Sequence, residues 1–267
     1  MRIAIIGSSG FIGSAITKIL KTDSDNVVVG FSHQNIDIHD FDTTRKIMYD
    51  YEVFDILIYA AISVEHDFIN KNINQLQNIL NCKDRYKNFV HISSRSVYDG
   101  LGCYTDIKCL PLSVLPLPQN RYGKLKYLEE KLINERLSPD KFLICRLFNV
   151  YNGLENNAFY TYLQKMIYKN TIMDETVLNM LSINDFAKKF KTLIDRKLEG
   201  TFNICSCNKV SFRSFITRFS NYQLLSKISN DYKEFTGKSN LIGCVEQDDF
   251  IAEMNKLFRT NPTLFGC

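Results

Sequence analysis

The stretch Arg2-Ile3-Ala4-Ile5-Ile6-Gly7-Ser8-Ser9-Gly10-Phe11-Ile12-Gly13-Ser14-Ala15-Ile16-Thr17-Lys18-Ile19-Leu20 decides the fold. Arg2 to Ile6 is a short apolar run of the kind that forms a strand covered on both faces. From Phe11 onward apolar residues recur at helical spacing: Phe11, Ile12, Ala15, Ile16, Ile19 and Leu20. Gly7, Gly10 and Gly13 lie between strand and helix, the context that gives a glycine motif meaning. There Gly7 allows the tight turn, Gly10 lets backbone approach a pyrophosphate, and Gly13 permits close packing of helix on strand. The anion then sits at the positive end of the helix, within reach of Gly7, Ser9, Gly10, Phe11, Ile12 and Gly13. A glycine-rich turn with no ligand is the alternative, and the flanking strand and helix argue against it.

Outward from this unit, short apolar runs alternate with helical patterns, the signature of parallel strands joined by crossover helices. Strands are expected at Val27 to Phe31, Ile56 to Tyr59, Phe89 to Ile92 and Phe142 to Leu147. Helices are expected at Thr43 to Tyr51, Ile73 to Leu80 and Asn120 to Asn134. The segment Asp99 to Gln119, with Pro111, Pro116 and Pro118, reads as a long loop beside a ligand site. The expected fold is α/β, a Rossmann-type doubly wound parallel sheet with a smaller C-terminal α/β part. Its dinucleotide-binding domain spans 1–150 and the smaller part 151–267, with 182–205 returning to the first domain's core. In that second part, helices are expected at Phe159 to Tyr168, Ile183 to Leu193, Phe212 to Tyr222 and Phe250 to Phe258. Brief strands are expected at Thr171 to Met173 and Thr201 to Ile204.

Bulk properties narrow the class further. A chain of 267 residues with 45% hydrophobic residues can bury a substantial core. The net charge of +4 comes from basic and acidic residues spread through the chain, which excludes a nucleic-acid tract. Eight cysteines include no Cys-x-x-Cys pair and no cluster with the four histidines, so no metal is expected and a reduced, cytoplasmic setting fits. Cys145 and Cys205 sit in apolar runs, where cysteine behaves as a small buried hydrophobe. Met1 to Ile6 lacks the charged start of a secretion signal, and the longest apolar run, Ile56 to Val64, is too short to span a bilayer. No membrane association is expected.

An acid at the end of the second strand of a dinucleotide fold binds the adenosine ribose and repels a 2'-phosphate. Here Phe31, Ser32 and His33 stand there, so that repulsion is absent and Ser32 and His33 can donate to a phosphate. NADP is the expected cofactor, with NAD as the alternative. Tyr122 and Lys126, four apart, share one helix face. A phenol with a pKa near ~10 exchanges protons poorly at neutral pH, and a neighbouring ammonium corrects this by stabilising the phenolate. His91-Ile92-Ser93-Ser94 ends the fourth strand at the sheet edge where such folds bind ligands. Ser94 is the better candidate of the two serines to hydrogen-bond a substrate carbonyl beside Tyr122.

Together these residues resemble the extended short-chain dehydrogenase/reductase family, specifically nucleotide-sugar epimerases and 4-keto-6-deoxysugar reductases. The landmarks run in family order. Ile5 to Gly13, Asp37-Ile38, Tyr59-Ala60-Ala61, and Asn72 with Asn78 come first; Ser93 to Tyr98, Tyr122 to Lys126 and Arg146 to Tyr151 follow. Leu181 to Ala187 and Gly200 to Ile204 continue it, and it fades beyond about residue 222. The resemblance implies adenosine contacts at Asp37 and Ile38, nicotinamide-side contacts at Ala60, Ala61 and Asn72, and substrate contacts at Ser94, Arg95 and Asn149. It also implies that Lys126 holds the nicotinamide ribose and that the smaller part binds substrate.

Family members that dehydrate sugars carry an acidic pair after the serine, and Arg95 and Ser96 replace it here. The implied activity is therefore reduction of a nucleotide-activated 4-keto-6-deoxysugar, with epimerisation of a nucleotide sugar as the close alternative. A non-catalytic dinucleotide sensor is the alternative of another class, and the presence of both Tyr122 and Lys126 disfavours it. A homodimer through the helices around Ile69 to Leu80 and Tyr122 to Ile133 is the implied assembly.

Overall fold

The computed structural model describes residues 1–64, 67–100, 114–148, 150–151, 171–172, 177–178, 181–205, 210–211 and 227–228. Six strands form one sheet: β1 (Arg2–Ile6), β2 (Val27–Phe31), β3 (Phe54–Tyr59), β4 (Tyr86–Ser94), β5 (Phe142–Leu147) and β6 (Gly200–Ile204). Their spatial order is β6-β5-β4-β3-β1-β2. β1 pairs parallel with both β2 and β3, and β3 pairs parallel with β4, in the Rossmann manner. The chain steps from β1 out to β2, then crosses back to β3 on the other side of β1. That reversal opens a crevice beyond the carboxyl ends of β1 and β3, where doubly wound folds bind ligands.

The helices that cover this sheet are α1 (Phe11–Leu20), α2 (Phe41–Tyr49), α3 (Phe68–Leu80), α4 (Arg121–Arg136) and α5 (Ile183–Asp195). α2 begins two residues before its expected start because Asp40 caps it, its carboxylate accepting from Thr43 N at 2.7 Å. β4 runs longer than its apolar stretch because Tyr86 is buried at its start and Ser93 and Ser94 continue it. Central strands are buried along nearly their whole length, whereas β2, at the edge, buries only Phe31 fully. The core gathers Ala4, Ile6, Leu57, Tyr59, Phe89 and Ile144 from the strands with Met48, Leu76, Ile79 and Ile133 from the helices. Cys82, Cys145 and Cys205 are buried and form no disulfide, and burial pushes the Cys145 thiol well up.

One compact unit comprises Met1–Gly100, Pro116–Arg146 and Ala187–Phe202, and a second comprises Leu101–Leu115, Leu147–Phe186 and Asn203–Cys267. In the second, Val150–Tyr151 pairs parallel with Leu181–Ser182, and Val177–Leu178 pairs antiparallel with Val210–Ser211. Thr171–Ile172 pairs parallel with Lys227–Ile228. The helices expected at 159–168, 212–222 and 250–258, Asn149, and residues 101–113 of the proline-bearing loop lie outside the described residues. Among the described residues no helix is long and apolar enough to cross a membrane, and no group of ligating side chains could hold a metal ion.

Candidate active site

The glycine loop is built by backbone. Gly7 has φ +86°, and a Cβ on it would lie 2.7 Å from Ala61 N, so the loop after β1 packs directly on the loop after β3. A Cβ on Gly13 would stand 2.1 Å from Gly7 O, which fixes how closely α1 approaches the loop. Phe31 O accepts from Gly7 N at 2.8 Å and from Ser8 N at 3.0 Å, pinning the loop to the end of β2. Ser9, Gly10 and Phe11 are exposed, and no side chain caps α1, which has no acid in its first turn. Its first amides therefore present an uncompensated positive end, which suits a pyrophosphate.

At the adenosine end, two of the candidates are turned inward. The Phe31 ring is buried edge-on against Tyr51 and Phe54, with centroids 5.4 Å and 6.4 Å away, and Ile38 belongs to the same core. Both side chains pack into the core, Phe31 at 2% and Ile38 at 7% exposure. Ser32 and His33 stay outside the core; Ser32 Oγ accepts from Gln34 N at 3.3 Å, which leaves its proton to donate. The exposed Asp37 carboxylate accepts from His39 N at 3.0 Å. Ala60 and Ala61 are half-buried beside Gly7. Asn72 is fully buried, and its amide is engaged within the protein: it accepts from Ser63 N at 2.8 Å and donates to Ser63 O and Phe68 O. It braces the loop after β3.

Strand alternation separates the two serines at the end of β4. Ser93 points inward and donates to Glu130 Oε1 at 2.5 Å, whereas Ser94 is half-buried and its Oγ accepts from Ser96 N at 3.2 Å. Among the described residues nothing accepts the Ser94 hydroxyl proton, which a carbonyl partner would need. Half-buried Arg95 follows in the 3-10 turn Arg95–Tyr98.

Two polar ties bring α4 to that turn. Asn120 caps α4 by accepting from Gly123 N at 2.7 Å, and Asp99 receives the Asn120 backbone N–H at 3.0 Å as well as its side-chain amide. At the contact itself a Cβ on Gly123 would fall 2.1 Å from Ser96 O. Tyr122 therefore stands next to the turn that Ser94 begins, 38% exposed, with Lys126 Nζ 5.9 Å from its ring centroid. Lys126 is only 4% exposed.

Beneath them lie charges that the helical pattern did not mark as buried. Arg146 on β5 grips Glu130 with two hydrogen bonds of 2.9 Å and 2.6 Å, and also donates to the Tyr98 hydroxyl. Lys126 Nζ donates to Glu129 Oε2 at 2.8 Å, and His91 Nε2 lies 3.2 Å from the same oxygen. Burial disfavours the charge on Lys126, but the combined pull of Glu129, Tyr122 and Glu130 outweighs it and holds the amine above its ordinary range. His91 is held below its usual value by burial, so it stands neutral at pH 7.

Among solved structures, UDP-glucose 4-epimerase from Thermotoga maritima with UDP-glucose aligns over 98% of this chain and 100% of its own at TM-score 0.77 and 15% identity. dTDP-4-dehydrorhamnose reductase from Bacillus anthracis in complex with NADP aligns over 97% and 99% at TM-score 0.70 and 17% identity. UDP-glucuronic acid 4-epimerase from Bacillus cereus, in complex with UDP-glucuronic acid and NAD, aligns over 97% and 99% at TM-score 0.74 and 21% identity. At these identities the likeness establishes the Rossmann-type fold. No curated protein matches the sequence. The family model described as RmlD substrate binding domain matches residues 1–215, which take in the glycine loop, Ser94, Tyr122 and Lys126. The extended short-chain dehydrogenase/reductase resemblance is thereby borne out, and the chain belongs to the RmlD substrate binding domain family.

Proposed function

We propose that the protein is an NADPH-dependent reductase of a nucleotide-activated 4-keto-6-deoxysugar. The observation that carries this reading is the exposed Tyr122 phenol one helical turn before a buried, charged Lys126, held against the turn that Ser94 begins. The residues that would hold the dinucleotide are the α1 amides with Gly7, Ser9 and Gly10 at the pyrophosphate, Ser32 and His33 at the 2'-phosphate, and Ala60 and Ala61 beyond. When bound, the nicotinamide supplies the hydride. Tyr122 gives its proton to the carbonyl oxygen as negative charge develops there, and the Ser94 hydroxyl donates a second hydrogen bond to the same oxygen. Lys126 stabilises the phenolate left behind and would hold the nicotinamide ribose. The family resemblance assigns sugar and nucleotide contacts to Arg95 of the first unit and, separately, to the second unit, Asn149 included.

The test is consumption of NADPH in the presence of a panel of 4-keto nucleotide sugars. Tyr122→Phe should lose at least a hundredfold in kcat, the usual worth of a positioned proton donor; an unchanged rate would remove Tyr122 from its role. Nucleotide-sugar epimerisation is the second reading, favoured by the epimerases among the structural relatives. Protein that retains NAD(H) through purification and shows no net redox change would establish it in place of the reductase. A homodimer through α3 and α4, where Leu128 is exposed, completes the proposal and is abandoned if sedimentation finds monomer alone.

A further inference from the structure

The buried face of α4 carries Gly123, Leu125, Lys126, Glu129, Glu130 and Ile133, so charge occupies three of six positions that would ordinarily be apolar. Glu130 has a complete set of partners in Arg146 and Ser93. Glu129 does not. Its Oε2 is held by Lys126 at 2.8 Å with His91 Nε2 at 3.2 Å, and its Oε1 has no partner among the described residues. His91 is fully buried on β4 and stacks on Tyr59 of β3 at 6.1 Å between centroids. A buried ion pair kept only for stability can usually be exchanged for apolar side chains at no loss. This one sits a single helical turn from the exposed phenol.

We infer that Glu129 is a positioning residue for the Tyr122 and Lys126 pair: wedged between Lys126 and His91, its carboxylate anchors the ammonium and offsets part of the ammonium's field at the phenol. It thereby sets the pH range in which the site moves a proton. This inference rests on the reading of Tyr122 as the proton donor. The pair's electrostatic neighbours are Tyr122 and Glu130 on α4, His91 on β4 and Tyr59 on β3. The turn packed on α4 adds Arg95 and Tyr98, the latter bonded to Arg146, and α3 contributes the neutral Asn72 and Gln75. His91 is neutral, so Glu129 supplies the only negative charge hydrogen-bonded to Lys126 among the described residues.

The experiment titrates the Tyr122 phenolate by ultraviolet difference spectra in the whole protein without substrate. With 14 tyrosines in the chain, each curve is taken against the matching protein that also carries Tyr122→Phe. Glu129→Gln keeps shape and a hydrogen-bond acceptor while removing the charge, and the midpoint should fall by about one pH unit, the size expected for a charge several ångströms away in a partly buried site. A folded Glu129→Gln protein with an unmoved midpoint overturns the inference. Should that variant not fold, Lys126→Met and Lys126→Met/Glu129→Met replace it. The single variant should raise the midpoint and the double should bring it back down; identical midpoints overturn the inference equally. Turnover by Tyr122→Phe would instead remove the proton-donor reading, and the titration stays readable in either event.

Discussion

Replacing Gly123 by alanine adds one methyl group where α4 touches the turn after β4. The new Cβ would lie 2.1 Å from Ser96 O, 2.8 Å from Ser96 C and 3.2 Å from Pro118 Cβ, and the nearest of these is backbone. Ordinary contact is restored only if the start of α4 backs away from the turn by roughly 1 Å, a displacement that in an active site costs on the order of 10²-fold in rate. The helix itself would gain about 1 kcal/mol from alanine over glycine, whereas overpacking costs about 1–3 kcal/mol. The clash outweighs the gain because Asn120 and Asp99 tie the first turn of α4 in place. The expected outcome is a melting temperature lower by several degrees and kcat lower by one to two orders of magnitude, read by thermal melts and NADPH consumption. A variant that melts higher than the parent, as intrinsic helix propensity alone dictates, and turns over at the parental rate would refute the argument that Gly123 sets the spacing of Tyr122 and Ser94.

Arg146→Met leaves Glu130 buried without its bidentate partner, and denaturant unfolding should register a loss of about 3–5 kcal/mol, the cost of breaking one half of a buried pair; a loss under about 1 kcal/mol would mean that water reaches Glu130. The folded pKa of His91 is depressed by burial from its ordinary 6.5, so the unfolded chain takes up a proton that the folded chain refuses. The stability that His91 contributes is therefore complete above pH 6.5 and declines as pH falls toward its folded value. His91→Phe, which keeps an aromatic ring against Tyr59, should flatten that decline in chemical denaturation at stepped pH, and an unchanged slope would show that His91 is charged in the folded protein.

The first strand, glycine loop and first helix were legible because everything that makes them is local: period, turn residues and helix start lie within twenty residues of one another. Ser94 was separable from Ser93 by position at the strand end, and strand alternation gives the reason, since Ser93 faces Glu130. What escaped the sequence was the burial of Glu129 and Glu130. Charged residues on a helix read as solvent-facing by default, and what buries these two lies at 91, 93 and 146, far along the chain. A signal existed nonetheless. Arg146 interrupts a wholly apolar run, Phe142 to Leu147, on a strand buried along its length, and a guanidinium there requires a carboxylate from a neighbouring element. Phe31 combines two signals: it ends β2 as the sequence indicates, and its apolar ring packs on Tyr51 and Phe54.

Glu129 and Glu130 are adjacent in sequence and both buried, yet they meet opposite energetic conditions. Glu130 joins α4, β4, β5 and the 3-10 turn through Ser93, Arg146 and, beyond Arg146, Tyr98. Each of its oxygens is engaged, so the network holds four elements in one arrangement and leaves its charge no freedom to respond to the site. Among the described residues, Glu129 has one engaged oxygen, a neutral imidazole beside it, and a single cation that the dinucleotide ribose would also claim. A carboxylate in that state feels every change at Lys126, because no other described residue compensates it. The rigid network therefore fixes where Tyr122 stands relative to Ser94, and the under-coordinated pair beside it is the part whose electrostatics can follow cofactor binding.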